Sequence, residues 1–292
     1  MQFSGIITAL ATPFKDGQLD LDAVERLVEH QIDNGVHGLV SCGCTGEAAT
    51  MTMGEDRRLW KTVMDVAKKR VPVIAGAGSN DTQAAVKHVK EAEEDGADAV
   101  MCITPYYNKP TQEGLYQHYK AIAEGTKLPV ILYNVPGRTA CDMQPETVAR
   151  LSEIPNIVAV KEASGTVHHS VWALKLSQPD FTVLSGDDPM YLPLAPMGVK
   201  GVISVASNVV PRQMADMHEK AAAGDYAGAT KIYMDLLPLY KALFVETNPI
   251  PVKCALKLLG LAEDEVRLPL TTATAATVEN MRKVLTDLGM LS

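Results

Sequence analysis

The chain has 292 residues, of which 47% are hydrophobic and 21% charged, and its formal net charge at pH 7 is −8. This much apolar material excludes a disordered chain and is enough for one large domain or two of ordinary size. The acidic balance, without a run rich in Lys and Arg, argues against nucleic acid or an anionic membrane surface as a partner. No window approaches the roughly 18 apolar residues of a membrane span, and the first residues lack a signal-peptide pattern. We therefore predict a cytoplasmic protein.

The cysteines and histidines do not follow a metal-binding pattern. Five cysteines form an odd set without a C-x-x-C pair, which predicts reduced thiols rather than disulfides or a zinc site. The seven histidines include no H-x-H or H-E-x-x-H motif. The sequence thus predicts no metal held by protein ligands.

The predicted elements begin with short β-rich runs that recur along the first 205 residues. They are continuous apolar runs rather than alternating ones, as expected for strands buried on both faces of a parallel sheet. Stretches with helical periodicity separate them, for example residues 21–32 and 84–92. Eight β-α units in this length predict an α/β fold, a (β/α)8 TIM barrel. The runs are 6–10, 38–41, 73–75, 99–103, 130–133, 157–161, 182–185 and 201–204.

The alternation of β-rich and helical segments ends at about residue 225, after which no further β-rich run occurs. Segments 226–239, 251–259 and 274–288 show helical patterns. Pro249 and Pro251 stop one helix and suit the first turn of the next, because proline lacks the N–H donor that a helix interior needs. We predict a barrel domain over residues 1–224 and a small C-terminal helical domain over residues 225–292, packed on the barrel.

Chemically active residues are expected where the barrel strands end, because active sites of such barrels lie at the C-terminal ends of the strands. Lys161 ends the sixth strand after four apolar residues. Partial burial there disfavours the ammonium form, and a neutral amine is a nucleophile for carbonyl groups. From position alone, a lysine that has left the strand and reached water is an equally good interpretation.

The neighbours of Lys161 favour the chemical interpretation. Tyr133 ends the adjacent strand and can carry protons to a carbinolamine, and Arg138 offers a planar donor fork for a carboxylate. Thr45 and Gly46 can present a hydroxyl and backbone N–H groups to a second carboxylate. For Glu47 we favour a structural role in the same loop. Two carboxylates at Asp187 and Asp188 argue against a sugar phosphate, since phosphate sites of barrels commonly follow strands seven and eight.

These residues belong to longer segments that resemble the pyruvate-dependent class I lyase family, and within it the dihydrodipicolinate synthase branch. The resemblance covers essentially the whole chain, and the segments together are far more specific than any one alone. They are Gly-Cys-Thr-Gly-Glu at 43–47, Thr-Pro-Tyr-Tyr-Asn-Lys-Pro at 104–110, Tyr-Asn-Val-Pro-Gly-Arg-Thr at 133–139, Val-Lys-Glu-Ala at 160–163, Ser-Gly-Asp-Asp at 185–188 and Asn-Pro-Ile-Pro-Val-Lys at 248–253.

The resemblance implies a lyase of the diaminopimelate route to lysine. Lys161 would form an imine with pyruvate, whose carboxylate lies on Thr45, and Tyr133 would relay protons. The derived enamine would attack the aldehyde of L-aspartate 4-semialdehyde, whose carboxylate Arg138 would hold. No metal or other cofactor is implied, because the iminium is itself the electron sink.

The resemblance also implies contributions from other parts of the pocket and from a second subunit. Ile203 would touch pyruvate through its backbone carbonyl, and Gly186 would line the same pocket. Tyr107 would enter the site of a neighbouring subunit and complete the proton relay. The implied assembly is a homotetramer built as a dimer of dimers.

Two departures from the family pattern stand out. Cys44 occupies a position where the family usually has a threonine that links the two tyrosines, and a thiol is a larger and weaker donor and acceptor. It is either a member of the relay or a small buried apolar residue.

The second departure concerns regulation. Lysine-inhibited members carry histidine and glutamate in an effector cleft, and the matching positions here are Met53, Asp56 and Ala84, although Asn80 and Tyr106 remain. The missing carboxylate at Ala84 predicts weak or absent inhibition by lysine.

Three other functions are consistent with parts of the sequence. One is a sister aldolase that acts on sialic acid, a 2-keto-3-deoxy sugar acid or 4-hydroxy-2-oxoglutarate and would use the same Schiff base. The tyrosine pair at 106–107 and the placement of Arg138 suit a short amino-aldehyde acid better than these substrates. A pyruvate-binding paralogue without catalysis has no use for the amine of Lys161. A metal-dependent barrel hydrolase is disfavoured because the predicted strand ends supply no histidine.

Overall fold

The structure is a computed structural model that describes residues 3–291. Eight of its strands are parallel and form a closed barrel. Two further strands, of two residues each, pair as a small antiparallel hairpin after β1. The strands are β1 (Gly5–Ala9), β2 (Phe14–Lys15), β3 (Gln18–Leu19), β4 (Gly38–Ser41), β5 (Val73–Gly76), β6 (Ala99–Ile103), β7 (Val130–Asn134), β8 (Ile157–Glu162), β9 (Thr182–Ser185) and β10 (Gly201–Ser204).

The order of hydrogen-bonded strands around the barrel is β1, β10, β9, β8, β7, β6, β5, β4 and back to β1. Each of the eight apolar runs predicted from the sequence coincides with one of these strands, so the predicted barrel is confirmed. The hairpin β2–β3 was not predicted. The register aligns Lys161 with Tyr133 on one side and with Leu184 on the other. Residues from three neighbouring strands therefore reach the same level of the barrel.

Helices follow the barrel strands and cover the outside of the barrel. They are α1 (Leu21–Asp33), α2 (Met53–Ala67), α3 (Thr82–Asp95), α4 (Gln112–Glu124), α5 (Pro136–Thr139), α6 (Pro145–Leu151), α7 (Val167–Leu176), α8 (Asp188–Leu194), α9 (Pro211–Ala222), α10 (Tyr226–Ala242), α11 (Ile250–Leu258) and α12 (Ala275–Asp287). Short 3-10 helices cover Ala48–Thr50, Ala195–Met197 and Ala206–Asn208.

The apolar side chains form two separate clusters. One fills the inside of the barrel with residues such as Ile7, Val40, Ile131 and Ile203. The other lies between the strands and the surrounding helices. Successive strand side chains point to opposite faces, so each strand supplies both clusters, which is why the runs are apolar throughout.

The C-terminal helices pack on the barrel. The helix α10 lies against α8 and α9, and α11 lies against α12 and the 3-10 helix Ala206–Asn208. The predicted C-terminal helices are thus confirmed, and the division into domains at residue 224 stays a prediction. Within residues 3–291, no helix combines the length and the apolar character needed to cross a membrane.

Candidate active site

A cavity of about 580 Å³ lies at the C-terminal ends of the barrel strands. Because the barrel strands are parallel, the residues that end them meet at this mouth. Three residues predicted from the sequence, Cys44, Tyr133 and Arg138, line the cavity together with Asn248 from the turn between α10 and α11. The cavity also extends outward to α2 and α3, where Met53 and His88 contribute to its wall.

Lys161 is held inside the barrel rather than in solvent. Its side chain is only 5% exposed, and Nζ lies 4.2 Å from the centre of the Tyr133 ring. Burial lowers the pKa of the Lys161 ammonium to about 8, against the charges of Cys44 and Asp188, which raise it. The interpretation of Lys161 as a solvent-exposed lysine is therefore wrong. A substantial fraction of the amine is neutral in mildly alkaline solution, which is what attack on a carbonyl requires.

Gly186 follows β9, which neighbours the strand of Lys161, and Ile203 lies in β10, the next strand around the barrel. A Cβ atom on Gly186 would lie 2.6 Å from Ala163 Cβ and 3.1 Å from Lys161 Cε, so the absence of a side chain lets the end of β9 lie against the lysine. Ile203 is fully buried in β10 and belongs to the cluster inside the barrel, as does Tyr133. The structure thus places Gly186 against Lys161 and Ile203 in the same interior cluster as Tyr133.

Tyr133 and Cys44 are partners in the cavity. Burial raises the pKa of the Tyr133 hydroxyl well above its usual range, and the charge of Cys44 and a hydrogen bond with it act in the same direction. Arg138 opposes this effect by lowering the pKa of Tyr133. The phenol therefore stays protonated across the physiological range and is suited to donating a proton or passing one on.

Thr45, Asn248 and Arg138 form a hydrogen-bonded set. Asn248 Nδ2 donates to Thr45 Oγ1 over 3.0 Å, and Arg138 Nη2 donates to the backbone carbonyl of Asn248 over 3.2 Å. Since the oxygen of Thr45 accepts a hydrogen bond, its own proton is free to point to a carboxylate in the cavity. One residue from the C-terminal helical region thus orients both predicted carboxylate-binding side chains.

Glu47 adopts a left-handed backbone conformation with φ 56° and lies in the wall of the cavity. Its Oε1 accepts a hydrogen bond from Lys253 Nζ at 2.6 Å, and its Oε2 accepts one from the backbone N–H of Arg267 at 3.0 Å. The glutamate therefore ties the loop of Cys44 and Thr45 to the C-terminal region. This geometry agrees with the structural role predicted for it.

Tyr107 is a predicted site residue that does not line the cavity of its own chain. It is 90% exposed and has a positive φ of 72°, which is unusual for a residue with a side chain. The loop around it is held by hydrogen bonds from Asn80 to the Tyr106 carbonyl and from Asn108 to the Asn80 carbonyl. An aromatic side chain held outward in this way is available to a second molecule.

Sequence reasoning singled out no role for Asn248 or His88. Asn248 stands in the segment Asn-Pro-Ile-Pro, which was recognised only as part of a resemblance, so the motif itself was the available signal. His88 lies in α3 and lines the outer part of the cavity, and burial lowers its pKa. No sequence pattern marked His88.

Comparisons with known proteins agree with this geometry. The model of the dihydrodipicolinate synthetase family matches residues 2–288 of the chain. A 4-hydroxy-tetrahydrodipicolinate synthase from Thermotoga neapolitana is 50% identical over 293 residues, covering 99% of this chain and all of the relative. The chain belongs to the dihydrodipicolinate synthetase family. It is therefore a lyase, as predicted from the sequence.

Solved structures of the family superpose closely on this one. A dihydrodipicolinate synthase from Thermotoga maritima gives a TM-score of 0.98 at 47% identity, with 100% of both chains covered. A chloride-inhibited dihydrodipicolinate synthase from Acinetobacter baumannii, complexed with pyruvate, gives a TM-score of 0.96 at 45% identity, with 99% of each chain covered. The barrel with its C-terminal helices is thus the fold of this family.

Three of the positions considered in the prediction on lysine inhibition lie in the outer part of the cavity. Met53, Asp56 and Tyr106 line it, whereas Ala84 lies half-buried on α3, one turn before His88. Asp56 is buried, and its Oδ1 has no hydrogen-bond partner within residues 3–291. Burial raises the pKa of Asp56 to about 6, so this carboxyl group is poorly solvated in its ionised form.

Proposed function

We propose that this chain condenses pyruvate with L-aspartate 4-semialdehyde to 4-hydroxy-tetrahydrodipicolinate, through a Schiff base on Lys161. The activity is the one predicted from the sequence and the one named for the relatives at about half identity over the full length. The observation that carries the mechanism is the buried amine of Lys161, with a pKa lowered to about 8, against the ring of Tyr133, which lines the cavity together with Arg138. A buried amine that is partly neutral near neutral pH is suited to imine formation.

The first half of the reaction activates pyruvate. The neutral amine of Lys161 attacks the ketone carbon, a carbinolamine forms, and loss of water leaves an iminium. The hydroxyl group of Thr45 donates a hydrogen bond to the pyruvate carboxylate. The backbone carbonyl of Ile203 and the backbone of Gly186, which has no side chain, complete the pocket. Loss of a methyl proton then gives the enamine, because the iminium accepts the electron pair.

The second half joins the two substrates. The enamine carbon attacks the aldehyde of the semialdehyde, whose carboxylate Arg138 binds as a planar fork. Tyr133 donates and accepts protons during imine formation and ring closure, with Cys44 as its partner. The amino group of the second substrate finally replaces Lys161 at the imine carbon, so the lysine returns as a free amine.

The proton relay is completed by Tyr107 of a neighbouring subunit in a homotetramer built as a dimer of dimers. The exposed, outward conformation of Tyr107 supports such an exchange. Large apolar side chains on other elements are also exposed in the single chain, as expected of surfaces that a second copy covers. They include Val167, Trp172, Met197 and Met234.

The deciding experiment is a condensation assay with pyruvate and L-aspartate 4-semialdehyde, followed by coupled reduction of the product. Turnover should occur in the unaltered protein and disappear in Lys161→Ala. Folded protein without turnover would contradict the proposal. A parallel screen for pyruvate release from sialic acid, 2-keto-3-deoxy sugar acids and 4-hydroxy-2-oxoglutarate tests the sister aldolases, which the comparisons do not favour. We place this reaction in the cytoplasm.

A further inference from the structure

The last residues of β7 and β8, Asn134 and Glu162, are joined by a hydrogen bond between their side chains. Asn134 Nδ2 donates to Glu162 Oε2 over 3.1 Å, and both residues are buried. The strand register aligns the two residues of this Asn134–Glu162 pair with each other, just as it aligns Tyr133 with Lys161 one position earlier. The hydrogen bond therefore lies directly beyond the two residues on which the proposed chemistry depends.

The Asn134–Glu162 pair lies on the outer face of the barrel, opposite to the cavity. Successive residues of a strand point to opposite faces, so residues two positions apart share a face. Leu132 and Val160, two positions before the pair, belong to the apolar cluster between the strands and the surrounding helices. Tyr133 belongs to the cluster inside the barrel. The pair thus acts on the cavity through the backbone of its two strands, and not by contact with a substrate.

Each polar atom of the pair has a defined partner. Asn134 Oδ1 accepts the backbone N–H of Met143 at 3.0 Å, which fixes the orientation of the amide, and Nδ2 also donates to Asp142 Oδ1 at 3.0 Å. Glu162 Oε1 accepts the backbone N–H of Ser164 at 2.6 Å, while its Oε2 accepts the hydrogen bond from Asn134. Both oxygens of Glu162 therefore act as acceptors, a requirement that a carboxylate meets and an amide does not.

Glu162 is a buried acid with several polar neighbours. Burial raises the pKa of its carboxyl group. Hydrogen bonds from Ser164 and Asn134 lower this pKa, as does the charge of His169 on α7. His169 also lies near the second acceptor of the amide, with 3.5 Å between His169 Nε2 and Asp142 Oδ2. Taking a carboxylate out of water is costly, but a buried polar pair whose hydrogen bonds are satisfied makes its surroundings rigid.

We propose that Glu162 is a positioning residue that fixes the spacing between Lys161 and Tyr133 for imine formation. It does so through its hydrogen bond to Asn134, and the inference rests on the proposed Schiff base. Lys161 Nζ lies 4.2 Å from the centre of the Tyr133 ring. The amine adds to the ketone carbon, and the phenol passes a proton to the carbinolamine hydroxyl, which leaves as water while the nitrogen electron pair forms the C=N bond. Since adjacent strands carry the two groups, the distance between the strand ends sets the distance between them.

The variant Glu162→Gln tests the hydrogen bond with little change in size. If its one side-chain oxygen accepts the N–H of Ser164, its NH2 group faces the NH2 group of Asn134, and two donors cannot bond to each other. We expect the strand ends to move apart. The rate of imine formation should fall about 10- to 100-fold, because a displacement of about 1 Å at a reacting group costs about two orders of magnitude.

The rate and the extent of the reaction with pyruvate distinguish positioning from a general loss of structure. The rate is measured by NMR as exchange of the pyruvate methyl protons with deuterium from the solvent, because this exchange passes through the iminium and the enamine. The extent is the amount of adduct on Lys161 after borohydride reduction at saturating pyruvate, quantified by mass spectrometry. A misplaced proton donor slows formation and hydrolysis of the imine alike. Glu162→Gln should therefore lower the exchange rate and keep the final amount of adduct.

Asp142→Ala is the matched control. It removes the other carboxylate that accepts a hydrogen bond from Asn134, but Asp142 lies outside both strands. The amide of Asn134 stays anchored by the Met143 N–H and by Glu162, so the exchange rate should change less than about twofold. Urea denaturation measures the stability of each variant. Asn134→Ser, whose hydroxyl group is too short to reach Glu162, serves if Glu162→Gln does not fold.

The possible outcomes are distinct. Slow exchange with full adduct in the variant that lacks the Asn134–Glu162 hydrogen bond, together with near-normal exchange in Asp142→Ala, supports the assignment. Normal exchange in a folded variant without this hydrogen bond overturns it and leaves the Schiff base intact. Exchange that falls only in proportion to the adduct or to stability in all variants also overturns it, since a structural role gives that pattern. An unaltered protein that gives no adduct with pyruvate contradicts the proposed function itself.

Discussion

The ammonium of Lys253 lies 2.6 Å from the carboxylate of Glu47, and both side chains are only 1% exposed. The two residues are 206 positions apart in the chain. Burial lowers the pKa of the Lys253 ammonium, whereas Glu47 raises it. The pair therefore connects the loop that carries Cys44 and Thr45 to α11 through a contact that water does not screen.

Breaking this pair should destabilise the protein strongly. Lys253→Met leaves the Glu47 carboxylate buried without its cation, which costs about 3–5 kcal/mol in the free energy of unfolding. Urea denaturation measures the change. Lys257→Met is the matched control on the same helix, because it breaks only exposed ion pairs with Glu263 and Asp264 and should cost less than about 1 kcal/mol. Equal decreases in the free energy of unfolding of the two variants would contradict a special role for the buried pair.

Asn248→Asp should raise the KM for pyruvate. The new carboxylate would accept the hydroxyl proton of Thr45, which then could no longer donate to the pyruvate carboxylate, and it would add a repelling charge. We expect an increase of about tenfold or more, as for a lost charge-assisted hydrogen bond of at least 1.4 kcal/mol. Steady-state kinetics measure it. Thr45→Val should show a comparable KM. A normal KM in Asn248→Asp would contradict the assignment of Asn248 as the donor and Thr45 as the acceptor of their hydrogen bond.

Cys44→Thr should raise turnover without a large change in pyruvate affinity. A hydroxyl is a stronger hydrogen-bond donor and acceptor than a thiol, so it should improve the exchange of protons with Tyr133. The condensation assay gives kcat, and Cys44→Val, which has no exchangeable proton, should have the lowest kcat of the three. An unchanged or lower rate in Cys44→Thr would mean that the pocket has adapted to sulfur.

Lysine should inhibit weakly or not at all. Ala84 supplies no carboxylate for the ammonium of an effector. Burial lowers the pKa of the neighbouring His88, which favours its neutral form. Inhibition is measured by titrating lysine at fixed substrate concentrations. Half-inhibition at submillimolar lysine would refute this prediction.

Asp56→Asn should stabilise the protein at alkaline pH. The folded-state pKa of Asp56 is raised from 3.8 to about 6 by burial, so this carboxyl favours folding below pH 4 and loses that contribution as pH rises through 6. The asparagine variant avoids the cost of the buried charge, which amounts to about 1–3 kcal/mol at pH 8.

Unfolding curves at pH 4 and pH 8 measure the effect of Asp56→Asn. The increase in the free energy of unfolding should vanish at pH 4. Asp65→Asn, on the exposed side of the same helix, should change stability little at either pH. A gain that does not depend on pH would rule out ionisation of Asp56 as its cause.

Local patterns were sufficient to predict the barrel and the residues at its mouth. A strand buried on both faces needs a continuous apolar run, so all eight barrel strands are visible in the sequence, and parallel strands place their ends together. Lys161 and Tyr133 were identified in this way. The hairpin β2–β3 was missed because strands of two residues are too short to show a period.

Only the tertiary structure decided how the side chains of the site are held. Whether Lys161 is buried or solvated depends on Tyr133 in β7 and on Gly186, which follows β9, and the position of Lys161 in β8 alone left the question open. Asn248 meets Thr45 across 203 residues, and Lys253 meets Glu47 in the same way. Contacts between such distant segments arise from packing of the C-terminal helices on the barrel, and they leave no periodicity in the chain.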